Sequence, residues 1–271
     1  MEIKITRFRI FSGIVIAIMA VAGIWSIVLA SSPATVTDSF DDSSKIAVST
    51  QVTVAGGVVT LSAASTWTCG DTLIDARDGK EYATVYISAS NQCWMAENIN
   101  IGTMTAAANS QGTDCPSASE IEKHCYDNIE SSCVSYGGLY QWNQAMCGST
   151  TEGATGICPT GWHIPTDAEW YTLEYALWDT ITGACASDRT SYDCSPAGTQ
   201  LKTGGGSGFT GLLAGNSYSG SFGGLSSYGY FWSSVQSGSN AWSRGLYSSY
   251  APVARSPFSK AYGFSVRCLK N

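Results

Sequence analysis

All ten cysteines of the chain lie between Cys69 and Cys268, behind a long apolar run that none of them enters. An even set of cysteines carried past an export segment reads as a disulfide framework, and that limits the rest of the chain to a compact, loop-rich domain. Spacing singles out three pairs. Cys125 with Cys133 and Cys185 with Cys194 suit local loop staples, and Cys69 with Cys93 is a third candidate. Structural zinc is disfavoured, because Cys-x2-Cys and Cys-x4-Cys pairs with nearby histidines are missing and His124 and His163 are the only histidines. No metal and no cofactor is expected.

The apolar run, Ile10 to Ala30, reads IFSGIVIAIMAVAGIWSIVLA and holds 21 residues without a charge. As a helix it would span roughly 31 Å, about one bilayer core. Lys4, Arg7 and Arg9 precede it, while Asp38, Asp41 and Asp42 follow. This asymmetry keeps residues 1–9 in the cytoplasm and exports the remainder. Residues 10–30 are therefore expected to form a transmembrane helix that anchors the chain in the membrane, the alternative being a signal peptide cleaved after Ala30. Residues 31–66 are rich in Ser, Thr, Val and Ala and alternate over 46–54 and 58–62, the pattern of a β-rich stalk or linker.

A formal charge of −7 with 13% charged residues, 11% aromatics and 29 glycines excludes a disordered acidic chain and a coiled coil. It also disfavours nucleic acid as a partner. From Trp67 onward the pattern predicts strands over 83–88 and 93–96 and a short helix over 139–146. A second helix follows Pro165: Thr166 caps it, Glu169 completes a capping box, and Trp170, Leu173, Leu177 and Trp178 form its buried stripe. Beyond Leu201 the chain is rich in Gly, Ser and Tyr until about Pro257, which predicts many tight turns. It closes over 262–269 as a strand with Phe264, Val266 and Cys268 on its buried side.

Six segments in order carry a family resemblance: Asp75-Ala-Arg-Asp-Gly-Lys80, Gln92-Cys-Trp-Met-Ala-Glu-Asn98, Tyr136-Gly-Gly-Leu-Tyr-Gln-Trp142, the stretch from Gly156 to Trp170, Phe231-Trp-Ser-Ser234 and Gly263-Phe-Ser-Val-Arg-Cys268. Together they resemble the Fibrobacter succinogenes major paralogous domain of exported bacterial proteins, over 67–271. A second-tier resemblance of Ile164–Trp170 and the closing segment runs to formylglycine-generating enzymes and C-type lectin-like folds. It implies an α+β domain with a small mixed sheet, two helices and long irregular loops near the C-terminus. The family supplies a fold and no activity.

Catalytic apparatus is not visible in the sequence. A formylglycine-generating enzyme needs paired cysteines late in the chain, where only Cys268 stands. Asp114, Glu120, Glu122, Asp127 and Glu130 read as a solvated, disulfide-stapled loop, and the triplets of calcium lectins are missing. Gly206-Ser-Gly-Phe-Thr-Gly211 matches a dinucleotide fingerprint in letters alone, without the flanking strand and helix. His163 reads as a packed histidine beside the helix cap.

The late region instead has the composition of binding loops, in which Tyr and Trp give contact area and Ser, Gly and Asn give adaptable hydrogen bonds. Asn240, Trp242, Arg244, Tyr247, Tyr250 and Arg255 are the expected ligand-binding residues, with Trp232 shared between this surface and the family motif. The stretch 233–258 also has the composition of a diversified variable region. The leading expectation is an exported binding protein for an extracellular protein or glycan. The alternatives are a structural envelope component without a discrete ligand site and a degenerate enzyme of the formylglycine-generating type.

Overall fold

In the computed structural model, residues 67–271 are described in full and residues 1–66 only through the backbones of five strands. The chain divides into two units, Met1–Trp67 and Thr68–Asn271. The five strands of the first unit, Phe8–Phe11, Ile14–Val21, Ile24–Leu29, Thr50–Ala55 and Val58–Ala63, make one antiparallel sheet. The helix expected over 10–30 is thereby corrected. Ile and Val dominate this run, β-branched side chains favour extended backbone, and Gly13 and Gly23 stand between its strands in the sequence. No helix among the described residues is long and apolar enough to cross a membrane. Residues 1–7, 12–13, 22–23, 30–49, 56–57 and 64–66, and every side chain before Trp67, lie outside the described residues.

The second unit is built on two sheets. In chain order its main strands are β1 (Thr84–Ile87), β2 (Gln92–Met95), β3 (Tyr140–Gln141), β4 (Trp162–His163), β5 (Tyr192–Asp193), β6 (Ala214–Tyr218), β7 (Ser221–Leu225), β8 (Tyr228–Ser237), β9 (Asn240–Tyr247), β10 (Val253–Ser259), β11 (Gly263–Phe264) and β12 (Leu269–Lys270). The smaller sheet runs β4-β12-β2-β1 and is antiparallel. The larger runs β3-β11-β6-β8-β9-β10-β5, with β7 paired to β6, and is mixed because β6 and β8 are parallel. Four short helices accompany them: α1 (Glu130–Tyr136), α2 (Trp142–Ala145), α3 (Asp167–Ala176) and α4 (Ala197–Leu201). Four helices rather than two, and an eight-stranded sheet rather than a small one, correct the expected dimensions while the α+β character stands.

The Gly/Ser/Tyr-rich region is the main departure. Expected as long loops, it forms the longest strands of the domain, the meander β8-β9-β10. Tight turns at Gly238 and Ser248–Tyr250 link strands whose aromatic and hydroxyl side chains suit a pleated surface. Pleating also explains why this sheet contributes to two cores. Adjacent Phe231 and Trp232 point to opposite sides, Phe231 into a core with Trp94, Trp170, Leu173 and Phe209, and Trp232 into one with Trp142, Trp162, Tyr140 and Phe264. Helix α3 opens with the full capping box, Thr166 accepting from the Glu169 backbone and Glu169 accepting from Thr166. Trp170 and Leu173 are buried on it, Leu177 and Trp178 are partly buried, and Glu174 is buried among them.

Five disulfides bind the fold: Cys69–Cys93, Cys115–Cys147, Cys125–Cys133, Cys158–Cys268 and Cys185–Cys194. The three pairs read from spacing are among them, and no cysteine is free.

Candidate functional site

Strand β9 separates the residues that the sequence groups together. Asn240, Trp242 and Arg244 share one face by the two-residue period, and Tyr247, an odd number of positions away, lies on the other. Trp242 and Tyr247 therefore cannot meet one ligand surface within the strand. On the first face Arg244 is fully buried, which removes it from any binding surface. Its Nη1 is 2.6 Å from Asp167 Oδ1, and its Nε donates to Glu174. Arg255, directly across the strand pair from Arg244, is 6% exposed. It donates Nη2 to Asp167 Oδ2 at 2.8 Å and stacks its guanidinium 3.5 Å above the half-buried Trp242 ring. Arg189 completes the group through Glu174. Burial opposes ionisation of Asp167, but the hydrogen bonds and charges of Arg255 and Arg244 outweigh it and hold its carboxyl below the ordinary range. Both expected binding arginines are thus structural: they bolt α3 to the meander.

The opposite face carries a patch of tyrosines. Tyr247 touches Tyr228 (ring centroids 5.0 Å apart), Tyr192 (5.2 Å), Tyr230 (5.9 Å) and Tyr250 (5.9 Å), and Tyr192 stacks on Tyr250 at 5.3 Å. Tyr250 is 52% exposed, Tyr192 45% and Tyr228 40%. The Tyr230 and Tyr247 hydroxyls are 3.1 Å apart. Hydrogen bonding to Tyr247 raises the Tyr192 phenol to about 12, and burial raises that of Tyr247 to about 12, so both remain neutral hydrogen-bond donors at physiological pH. The turn that presents Tyr247 and Tyr250 is held by Lys202, whose Nζ donates to the carbonyls of Tyr247 (2.7 Å), Ser248 (3.2 Å) and Tyr250 (2.8 Å). Beside it a cleft of about 330 Å³ is lined by Lys202, Thr203, Gly211 and Ser248, among others.

Of the expected binding residues the patch retains Tyr247 and Tyr250. Tyr192 and Tyr228 were missed. Alternation of Tyr228, Tyr230 and Trp232 along one strand is a signal for the second, whereas Tyr192 arrives through its register with Ala254, which no local pattern encodes. Asn240 lies at the far end of β9 from Tyr247, paired with Ser237 and Ser259.

The family-like segments build the scaffold. Fully buried Arg267 donates to Asn98 Oδ1 at 2.6 Å and to the carbonyls of Met95 (3.2 Å), Phe209 and Thr210 (2.8 Å). Burial lowers its pKa to about 9, which still leaves it cationic at neutral pH. The glycine-rich 206–211 loop is thus the cradle of a buried arginine. His163 hydrogen-bonds Asn271 Oδ1 at 2.7 Å and Glu169 at 3.0 Å, beside the helix cap. His124 and Ser217 form a Ser–His contact of 2.8 Å, but they are 1% and 0% exposed, and a Cβ on Gly263 would come within 2.1 Å of the Ser217 hydroxyl. Solvent does not reach that pair. Among the described residues, no group of three or more His, Cys, Asp or Glu is placed to hold a metal ion.

No curated protein and no solved structure matches the chain. The model of the Fibrobacter succinogenes major domain matches residues 87–270, from the end of β1 through β12. Since that match takes in both sheets and the buried tryptophans and arginine described above, the chain belongs to the Fibrobacter succinogenes major domain family.

Proposed function

We propose that the chain is an exported binding protein that recognises an extracellular protein or glycan through the tyrosine patch of Tyr192, Tyr228, Tyr247 and Tyr250. The carrying observation is the patch itself: three tyrosines at least 40% exposed, in ring contact with one another or with Tyr247, on a rigid sheet. Tyrosines pair large apolar area with a hydroxyl at low entropic cost, and their rings stack on sugar faces. Lys202 fixes the turn before any ligand arrives, which reduces the ordering cost of binding. Five disulfides favour an oxidising compartment outside the cytoplasm, and the charge asymmetry around residues 10–30 supports retention at the membrane or release after Ala30. The segment 164–170 and the closing 263–268 support a C-type lectin-like relation for the domain.

The test is a combined glycan and surface-protein array probed with the oxidised full chain. Tyr250→Ala and Tyr192→Ala are expected to weaken a reproducible hit by about 1–3 kcal/mol each while leaving thermal unfolding unchanged. Trp242→Ala, on the other face, is expected to leave binding intact. A silent array from folded protein would favour a structural role in the cell envelope.

A further inference from the structure

Lys123 lies in the two-residue strand Glu122–Lys123, which pairs in parallel with Thr103–Met104 and so brings the lysine back beside Asn100. Its side chain is 1% exposed, an unusual position for a lysine. Nζ stands 2.7 Å from the side-chain Oδ1 of Asn100 and 3.3 Å from Glu130 Oε1. Glu130 is the first residue of α1, and its side chain is 58% exposed. A second cation crowds the same asparagine: Lys80 Nζ donates to the Asn100 backbone carbonyl. A buried amine, a primary carboxamide in contact with it and a carboxylate within reach of the same nitrogen together make up the groups of an intramolecular transamidation.

We propose that Lys123 and Asn100 form an isopeptide cross-link, with Glu130 relaying the proton. The neutral Lys123 amine attacks Cγ of Asn100 after the half-buried carboxamide rotates to present that carbon. Glu130 accepts a proton from the attacking nitrogen and returns it to Nδ2. The Nζ–Cγ bond forms, the Cγ–Nδ2 bond breaks and ammonia leaves, so the step consumes no oxidant, reductant or cofactor. Contact between the reacting groups supplies the effective concentration that an amide otherwise lacks. Burial and the Lys80 charge both lower the Lys123 pKa, with Glu130 acting against them, which favours the nucleophilic form. Lys80 is the weaker nucleophile for the same amide: it faces the backbone carbonyl, is 39% exposed and pairs with Asp78 at 3.2 Å. The product would close a covalent loop from Asn100 to Lys123 that reductants cannot open.

Mass spectrometry of the full chain, made in an oxidising compartment and then reduced and alkylated, decides the matter. The expected result is a deficit of about 17 Da, the mass of ammonia, located in a branched peptide that joins Lys123 to Asn100, with no tryptic cleavage after Lys123. Glu130→Gln, at a solvent-facing position, is expected to keep all five disulfides and show no deficit. Asn100→Ala is expected to show none either. Wild-type protein with an intact Asn100 carboxamide and a free Lys123 amine, or a deficit mapped to other residues, overturns the cross-link. A Glu130→Gln protein that still carries the branched peptide overturns the role of Glu130.

Discussion

At the scale of single residues, the polar groups of this domain are set by what lies within hydrogen-bond reach. His163 illustrates this. Its hydrogen bond to Glu169 raises its pKa above 6.5 despite burial. Burial works against the charge of Glu169, but hydrogen bonds from His163 and the Thr166 backbone prevail and hold the carboxyl below 4.5. A raised histidine stabilises the fold fully below its unfolded value and loses that contribution as pH rises through the folded one. A depressed carboxyl stabilises above its unfolded value and loses the contribution as pH falls through the folded one. The pair therefore contributes fully between about 4.5 and 6.5. Denaturant unfolding across pH is expected to show stability declining above that window in the wild type, and the decline is expected to flatten in His163→Gln. An unchanged profile in the variant would separate His163 from the cap of α3.

Among elements, the decisive joint is the one between α3 and the meander. Asp167, at the first position of α3, binds Arg244 of β9 and Arg255 of β10, and Glu174, two turns on, binds Arg244 and Arg189. Three arginines against two carboxylates leave an excess positive charge in the group. The Arg189 Nε has no partner. Removing either acid would strand a guanidinium in the interior, and loss of one partner from a buried pair costs about 3–5 kcal/mol. Glu174→Ala is expected to lower unfolding free energy by that amount, read as a reduced urea midpoint with an unchanged slope. A loss below about 1 kcal/mol would place the joint in the apolar packing of Trp170, Leu173 and Phe231 instead.

At the scale of the whole molecule, the disulfides divide between local staples and long-range closure. Cys125–Cys133 and Cys185–Cys194 span 8 and 9 positions, whereas Cys158–Cys268 spans 110 and ties the segment before β4 to the segment before β12. Loop-closure entropy grows with the enclosed length, so this bridge restricts the unfolded chain most. Replacing Cys158 and Cys268 together by alanine is expected to destabilise the domain by about 3–5 kcal/mol, and replacing Cys185 and Cys194 by less. Calorimetry of the two double variants checks the order, and the reverse order would point to native-state strain or packing rather than chain entropy.

Much of this architecture is legible in the chain itself, because its causes are local. The capping box at Thr166 and Glu169, the strands at β1 and β2, and the three short or mid-range disulfide pairs each depend on residues close in sequence. The family motifs are equally legible, and they proved to be core-forming residues such as Trp94, Trp232 and Arg267. The binding surface is another matter. Composition located tyrosines and arginines in the same late stretch, but strand parity sent Arg244 inward and Tyr247 outward, and β5 supplied Tyr192 from another segment. The length of the apolar run over 10–30 likewise suggests a membrane helix, whereas the backbone is extended over Ile14–Val21 and Ile24–Leu29. Sequence alone determined the helix cap, the apolar positions of the core and three of the five cross-links, since those requirements follow from side-chain chemistry and short-range spacing. Tertiary structure decided which polar and aromatic groups share a face, because register between distant strands fixes that, and register is a property of the packed sheet.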